Sequence, residues 1–156
     1  VSLEEAIGQK FTKKNWNLSL AESCTGGQIA ERLTRIPGAS RFFSGGVIAY
    51  SDSVKENILS VSRKLLQEKG AVSAETALAM AVGVRHLFGT KLALAVTGIA
   101  GPSGGSARKP VGLVYVAIST PKVNKIWKEI YHGDRLQIQD RASKKALKEL
   151  WQVIRK

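Results

Sequence analysis

Three loops rich in small residues contain the side chains best suited to chemistry, and each loop follows a predicted β-strand. The first covers residues 21–27 and includes Ser23 and Thr25 just ahead of a predicted helix. The start of a helix brings hydroxyl and backbone N–H groups together, and it favours anions and developing negative charge. Ser23 is therefore a candidate nucleophile. The alternative is that Ser23 or Thr25 only caps the helix.

Cys24 is a rival nucleophile in the same loop. A catalytic cysteine is usually activated by a neighbouring histidine, and this segment holds none. We therefore favour the interpretation of Cys24 as a small buried residue.

The second loop, residues 50–55, offers a base for a serine nucleophile, whose hydroxyl is weak without one. His86 and His132 are not evident partners, because one is predicted in mid-helix and the other at a strand end. A lysine can act as the base if burial lowers its pKa. We therefore consider Lys55 as the base, with Tyr50 as a relay or orienting group. The alternative is that Lys55 is one of many surface cations and that Tyr50 belongs to the core.

The third loop, residues 96–112, is rich in glycine, serine and proline. Glycines let backbone N–H groups approach a ligand closely. This loop has neither the glycine spacing of a P-loop nor that of a dinucleotide-binding fingerprint. The pattern therefore indicates a loop for phosphate or for an oxyanion, and a flexible surface loop is the alternative.

Alternating strands and helices must position these loops. Apolar periodicity and capping residues predict helices over residues 3–14, 28–35, 51–59, 62–69, 73–88 and 134–156. Strands are predicted over residues 18–21, 42–50, 92–97, 111–119 and 125–131, the third central and the last at an edge. The predicted apolar stripes include Leu87 and Phe88 in the fifth helix and Leu136 in the last.

This order of elements is typical of a three-layer α/β/α sandwich with a mixed, mostly parallel sheet. Ligands of such folds bind at the loops that follow strand ends. The chain holds no linker long enough to separate domains, so we expect a single domain over residues 1–156.

Composition narrows the class of protein. The 156 residues are 44% apolar and 23% charged, as in a folded domain. One cysteine excludes an internal disulfide, and two histidines leave little material for a metal site, so we expect no metal and no cofactor. No apolar run reaches membrane-spanning length and residues 1–5 do not resemble a secretory signal, so we expect no membrane association and a cytoplasmic location.

The net charge of +12 raises the question of a nucleic-acid partner. Half of this excess lies in the last 36 residues, which contain 10 basic and 4 acidic residues. Most of those residues fall on a predicted amphipathic helix, whose lysines form a solvated face. We therefore read the charge as favouring solubility and steering, and we do not expect nucleic acid as a partner.

Five separated motifs, in matching order and spacing, resemble the CinA C-terminal-domain family over about residues 3–154. They are the segments 21–27, 50–55, 70–73, 97–112 and 133–135. Members of that family include amidohydrolases that convert nicotinamide mononucleotide to nicotinate mononucleotide and ammonia. The resemblance implies this activity in a stand-alone form of the domain.

The resemblance also implies roles for individual residues. Ser23 corresponds to the nucleophile, Lys55 to its base and Tyr50 to a helper. Arg135 is expected to bind the 5′-phosphate, since a guanidinium binds phosphate bidentately. Contacts to the nucleotide or the oxyanion are expected from the first and third loops, namely Thr25, Gly26, Gly27, Thr97, Gly98 and Gly101. The chemistry requires no metal or cofactor, and the family habit suggests a homo-oligomer, with a dimer as the first expectation.

Two other classes of function compete with the enzyme. One is a nucleotide-binding or regulatory module without catalysis, linked to competence and DNA damage. The other is a nucleic-acid binder driven by the positive charge. The combination of Ser23, Tyr50 and Lys55 favours the amidohydrolase.

Overall fold

A five-stranded sheet forms the centre of the protein in a computed structural model that describes all residues, 1–156. The strands are β1 (Leu18–Glu22), β2 (Phe43–Ile48), β3 (Leu92–Gly98), β4 (Leu113–Ser119) and β5 (Asn124–Ile130). Their spatial order is β2-β1-β3-β4-β5, with β1 parallel to both β2 and β3, and with β4 antiparallel to both β3 and β5. Every strand except β4 therefore runs in the same direction, which confirms the predicted mixed, mostly parallel sheet.

Six α-helices surround the sheet, close to the predicted positions. They are α1 (Leu3–Lys14), α2 (Gln28–Thr34), α3 (Asp52–Asn57), α4 (Arg63–Lys69), α5 (Ala74–Phe88) and α6 (Arg135–Ile154). Side-chain caps explain where several of them begin. Ser2 and Asp134 form capping boxes, and Ser51, Ser62 and Ser73 each accept a hydrogen bond from the backbone N–H three residues later. No helix combines the length and the apolarity needed to cross a membrane.

The alternating sequence of β3 gives the two faces of the sheet different shapes. Leu92, Leu94 and Val96 belong to a cluster of large side chains with α1, α2 and α6. Ala93 and Ala95 belong to a second cluster with α5. Small alanines let α5 pack close to the backbone of the sheet, so the chain forms the predicted three-layer sandwich.

Three residues assigned to apolar stripes are exposed instead, and for these the prediction is wrong. Leu136 is 72% exposed in the first turn of α6, where the buried stripe starts only at Ile138. Leu87 and Phe88 lie in the last turn of α5 and are 54% and 36% exposed. The ring of Phe88 lies against Gly45 of β2, where a Cβ would be 2.9 Å from its Cε1 atom. Helical periodicity identifies the apolar face but not how far the sheet extends beneath it.

Gly83 allows α5 to touch the connection between α3 and α4. A Cβ at Gly83 would lie 1.9 Å from the carbonyl oxygen of Leu59. In an exposed helix a Gly→Ala change would stabilise the protein, because alanine has the higher helix propensity. Here we expect Gly83→Ala to lower the free energy of unfolding by about 2 kcal/mol, as overpacking does. Urea denaturation measures the change, and a gain in stability would contradict the close contact.

Candidate active site

The three predicted loops meet in one cavity at the edge of the sheet where β1 and β3 end. The cavity has a volume of about 300 Å³. It is lined by seven of the ten predicted site residues: Ser23, Tyr50, Lys55, Thr97, Gly98, Gly101 and Arg135. Two larger grooves, of about 490 and 320 Å³, lie elsewhere and contain neither Ser23 nor Lys55.

Ser23 and Lys55 are in direct contact inside this cavity. The Nζ atom of Lys55 lies 3.2 Å from the Oγ atom of Ser23, although 32 residues separate them in the sequence. Ser23 follows β1 directly, and its N–H donates to the carbonyl of Val96 in β3 at 3.0 Å. Lys55 lies in α3, whose start is fixed by the Ser51 cap. The nucleophile and base proposed from the residue types are therefore adjacent.

Burial changes the acid–base behaviour of Lys55, which is only 1% exposed. Removal from water lowers the pKa of its amine below the ordinary 10.5, and the carboxylate of Asp52 offsets part of this decrease. Two backbone carbonyls, of Ala49 at 2.7 Å and of Tyr50 at 3.4 Å, accept from the same nitrogen. No carboxylate forms an ion pair with Lys55, so neutralisation is easier than it would be for a paired lysine.

Cys24 also lines the cavity, but its thiol is not activated. Burial raises the pKa of the Cys24 thiol to about 12, and the nearby charge of Glu22 acts in the same direction. The thiol is thus protonated at neutral pH, which disfavours Cys24 as the nucleophile.

The side chain of Glu22, which is not among the predicted site residues, holds the first loop in place. Glu22 is 1% exposed, and its carboxylate accepts the hydroxyl of Thr25 at 2.6 Å and the N–H of Gly27 at 3.2 Å. Thr25, Gly26 and Gly27 do not line the cavity, so their contact with substrate stays a prediction. One signal could have revealed Glu22: a carboxylate at the end of a strand buried on both faces needs several donors.

The third loop forms the opposite wall. The hydroxyl of Thr97 donates to the carbonyl of Ala71 at 2.8 Å, which ties β3 to the segment ahead of α5. Gly98 has no room for a side chain, because a Cβ there would lie 2.8 Å from the carbonyl oxygen of Leu113 and 3.0 Å from Cys24 Sγ. Gly101 adopts φ of 79°, a left-handed conformation that favours glycine.

Arg135 connects the second and third loops at the mouth of the cavity. One guanidinium nitrogen donates to the carbonyl of Gly101 at 2.6 Å, and the other donates to the hydroxyl of Tyr50 at 2.7 Å. The Tyr50 side chain is 59% exposed. The structure thus places the Tyr50 hydroxyl on Arg135, while only the backbone carbonyl of Tyr50 contacts Lys55.

Comparison with known proteins yields one family. The family model for the CinA C-terminal domain matches residues 1–154. A CinA-like protein of Geotalea uraniireducens is 49% identical over 137 residues, which are 88% of this chain and 33% of that protein. A putative competence-damage inducible protein of Moorella thermoacetica is 44% identical over 154 residues, 99% of this chain and 37% of its own length. The chain thus spans about a third of the curated relatives it matches.

Solved structures agree with the sequence matches. The competence/damage inducible protein CihA from Agrobacterium tumefaciens superimposes with a TM-score of 0.93 at 41% identity, covering 95% of this chain and 91% of that one. A competence-damaged protein (CinA) superfamily protein from Escherichia coli gives a TM-score of 0.94 at 32% identity, covering 97% and 88% of the two chains.

The lowered pKa of Lys55 has a consequence for stability. Between that lowered value and 10.5, the unfolded chain holds a proton on Lys55 that the folded chain lacks, so stability rises with pH in this window. Lys55→Met removes the titration and keeps a chain of similar length. We expect the difference in unfolding free energy, wild type minus variant, to grow as pH increases. Urea denaturation across the pH range measures it, and a constant difference would show that the Lys55 pKa is unchanged on folding.

Proposed function

The chain belongs to the CinA C-terminal domain family, and we propose that it is an amidohydrolase that converts nicotinamide mononucleotide to nicotinate mononucleotide and ammonia. The observation that carries this proposal is the contact of 3.2 Å between the buried Nζ of Lys55 and the Oγ of Ser23. A serine next to a lysine whose pKa is lowered by burial is a nucleophile with its general base.

The surroundings of Lys55 direct its lone pair toward Ser23. A neutral amine has two protons and one lone pair. The two N–H groups of the neutral amine can donate hydrogen bonds to the carbonyls of Ala49 and Tyr50, which lie 2.7 Å and 3.4 Å from Nζ. The lone pair then faces Ser23 Oγ, the third oxygen around the nitrogen. Two backbone acceptors thus orient the base in the way that the aspartate of a Ser-His-Asp triad orients histidine.

The proposed reaction follows acyl transfer. Neutral Lys55 takes the proton of the Ser23 hydroxyl while Oγ attacks the carboxamide carbon, and the carbonyl oxygen becomes an oxyanion. Protonated Lys55 then gives its proton to the leaving nitrogen, the C–N bond breaks and ammonia departs. Water attacks the ester that remains, and Lys55 again takes a proton. The bond from the acyl carbon to Oγ then breaks, Lys55 returns its proton to Ser23 Oγ, and the acid product leaves and loses its proton to solvent.

Arg135 is the proposed anchor for the phosphate of the mononucleotide. Its guanidinium has five N–H donors, and only two contacts within the protein engage it, to Gly101 and Tyr50. The remaining donors can bind a phosphate bidentately. Arg135 and Ser23 line the same cavity of about 300 Å³, within the size range of small-molecule sites. The net charge of +12 supports attraction of an anionic substrate.

A first experiment tests the nucleophile. We expect Ser23→Ala to reduce ammonia release from nicotinamide mononucleotide on the order of 10⁴-fold or more, as loss of a catalytic serine does. The matched control is Cys24→Ala, which removes the neighbouring protonated thiol and should keep most of the activity. Equal activity in wild type and Ser23→Ala would exclude the proposed mechanism. Binding of the nucleotide by wild type without ammonia release would instead indicate a non-catalytic binding module.

A second experiment tests the base. Because only neutral Lys55 can accept the serine proton, we expect kcat/KM to rise with pH through the lowered pKa of Lys55. Initial rates measured over about pH 6 to 9 should increase with pH. Lys55→Arg, whose guanidinium stays protonated, should have residual activity with no such rise. A wild-type profile that is flat over this range would argue against Lys55 as the base.

A further inference from the structure

Glu22 is a buried carboxylate that the proposed chemistry does not use. It is the last residue of β1 and directly precedes Ser23. Its Oε1 accepts three hydrogen bonds, and its Oε2 accepts one from the N–H of Ala30 at 2.9 Å. The three donors to Oε1 are the Thr25 hydroxyl at 2.6 Å and the N–H groups of Gly27 at 3.2 Å and Ile29 at 3.1 Å. A single side chain thereby holds the whole turn that follows the nucleophile.

This turn has no cap of its own. The residue before α2 is Gly27, with φ of 106°, a conformation that disfavours a residue with a side chain. A local Ser or Asp cap is therefore not available at that position. Glu22 supplies the missing acceptor from β1, the strand before the turn. A cap within the helix would fix only the start of α2, whereas Glu22 fixes the turn relative to β1 and Ser23.

The hydrogen bonds of the turn leave two backbone N–H groups without an acceptor in another residue. The N–H groups of Ser23, Gly26 and Gln28 donate to backbone carbonyls, and those of Gly27, Ile29 and Ala30 donate to Glu22. The N–H groups of Cys24 and Thr25 have no acceptor outside their own residues. Cys24 lines the cavity next to Ser23.

The directions of these two N–H groups are fixed through their peptide planes. A trans peptide N–H points opposite to the carbonyl of the preceding residue. The carbonyl of Ser23 accepts from the N–H of Gly26 at 3.1 Å, which sets the plane of the Cys24 N–H. The carbonyl of Cys24 accepts from Nε2 of Gln139 at 3.0 Å, which sets the plane of the Thr25 N–H.

We propose that Glu22 is a positioning residue for acyl transfer at Ser23. Its carboxylate holds the turn in the shape that keeps the Cys24 N–H, the donor of the two that belongs to a cavity-lining residue, available to the oxyanion. This inference rests on the proposed function, because it requires an acyl-transfer step at Ser23. Preorganised backbone donors of this kind stabilise the charge that develops in the transition state.

The test is Glu22→Gln in the full chain, with Glu31→Gln as the matched control. The side-chain amide of the Glu22→Gln variant can keep the Oε1 contacts but presents an NH₂ group to the Ala30 N–H, so the turn must shift. We expect kcat for nicotinamide mononucleotide to fall on the order of 100-fold, comparable to a misplaced oxyanion donor, with KM nearly unchanged. Glu31→Gln removes an exposed α2 carboxylate that pairs with Arg35 and should leave both constants unchanged.

A second readout separates this inference from the proposed substrate. We expect a fluorophosphonate probe to label Ser23 without any carboxamide, as the bond from Oγ to phosphorus forms and fluoride leaves. Its phosphoryl oxygen needs the same backbone donor as the oxyanion. We expect labelling to slow in Glu22→Gln in parallel with kcat. Wild type that is labelled faster than the variant but releases no ammonia would support the role of Glu22 while refuting nicotinamide mononucleotide as substrate. Wild type that releases ammonia with kcat and labelling unchanged in the variant would overturn the role of Glu22 alone.

Thr25 provides a milder variant if Glu22→Gln does not fold. Thr25→Val removes one donor to the carboxylate, and Thr25→Ser retains it. We expect the valine variant to lose kcat at nearly constant KM, and the serine variant to recover it, with melting temperatures measured for both. An effect of Thr25→Val on KM alone would overturn positioning in favour of direct substrate contact.

Discussion

The burial of the Lys55 amine beside Ser23 is the constraint on which the rest of the structure depends. A charge removed from water is costly unless polar groups surround it, and here three oxygens do so: Ser23 Oγ and the carbonyls of Ala49 and Tyr50. To bring these oxygens to the amine, the parallel strands β1 and β2 must end side by side, and α3 must start soon after β2. The close packing of α5 at Gly83 then supports the connection that follows α3.

Two buried ionisable side chains on different elements flank Ser23 without pairing with each other. Glu22 is satisfied by N–H and hydroxyl donors of the turn after Ser23. Lys55 is satisfied by two carbonyls and the serine. Because no salt bridge joins them, Lys55 has no carboxylate partner that would hold it in the charged form. The backbone thus satisfies each side chain separately, which is compatible with a base on one side and fixed donors on the other.

Local signals in the sequence predicted most of the scaffold and part of the site. Serine and aspartate caps mark helix starts, and the apolar run of β3 marks a central strand covered on both faces. Because the loops follow strands of one sheet, the meeting of Ser23 with Lys55 could be anticipated. The bond from Arg135 to the Tyr50 hydroxyl and the exposure of Leu136 could not be, since both depend on where the start of α6 lies relative to β2 and the sheet edge.

The position of Arg135 shows why a small part of the large positive charge matters for the proposed site. Its guanidinium is already held by Gly101 and Tyr50, from two different loops. A phosphate that binds there meets a cation whose rotamer is fixed, so little side-chain entropy remains to be lost on binding. Flexible surface lysines lack this advantage, and their attraction is screened over about 8 Å at physiological salt. The many surface cations can therefore bring an anion toward the protein, whereas a single immobilised arginine at the mouth of the cavity would give the proposed phosphate a defined orientation.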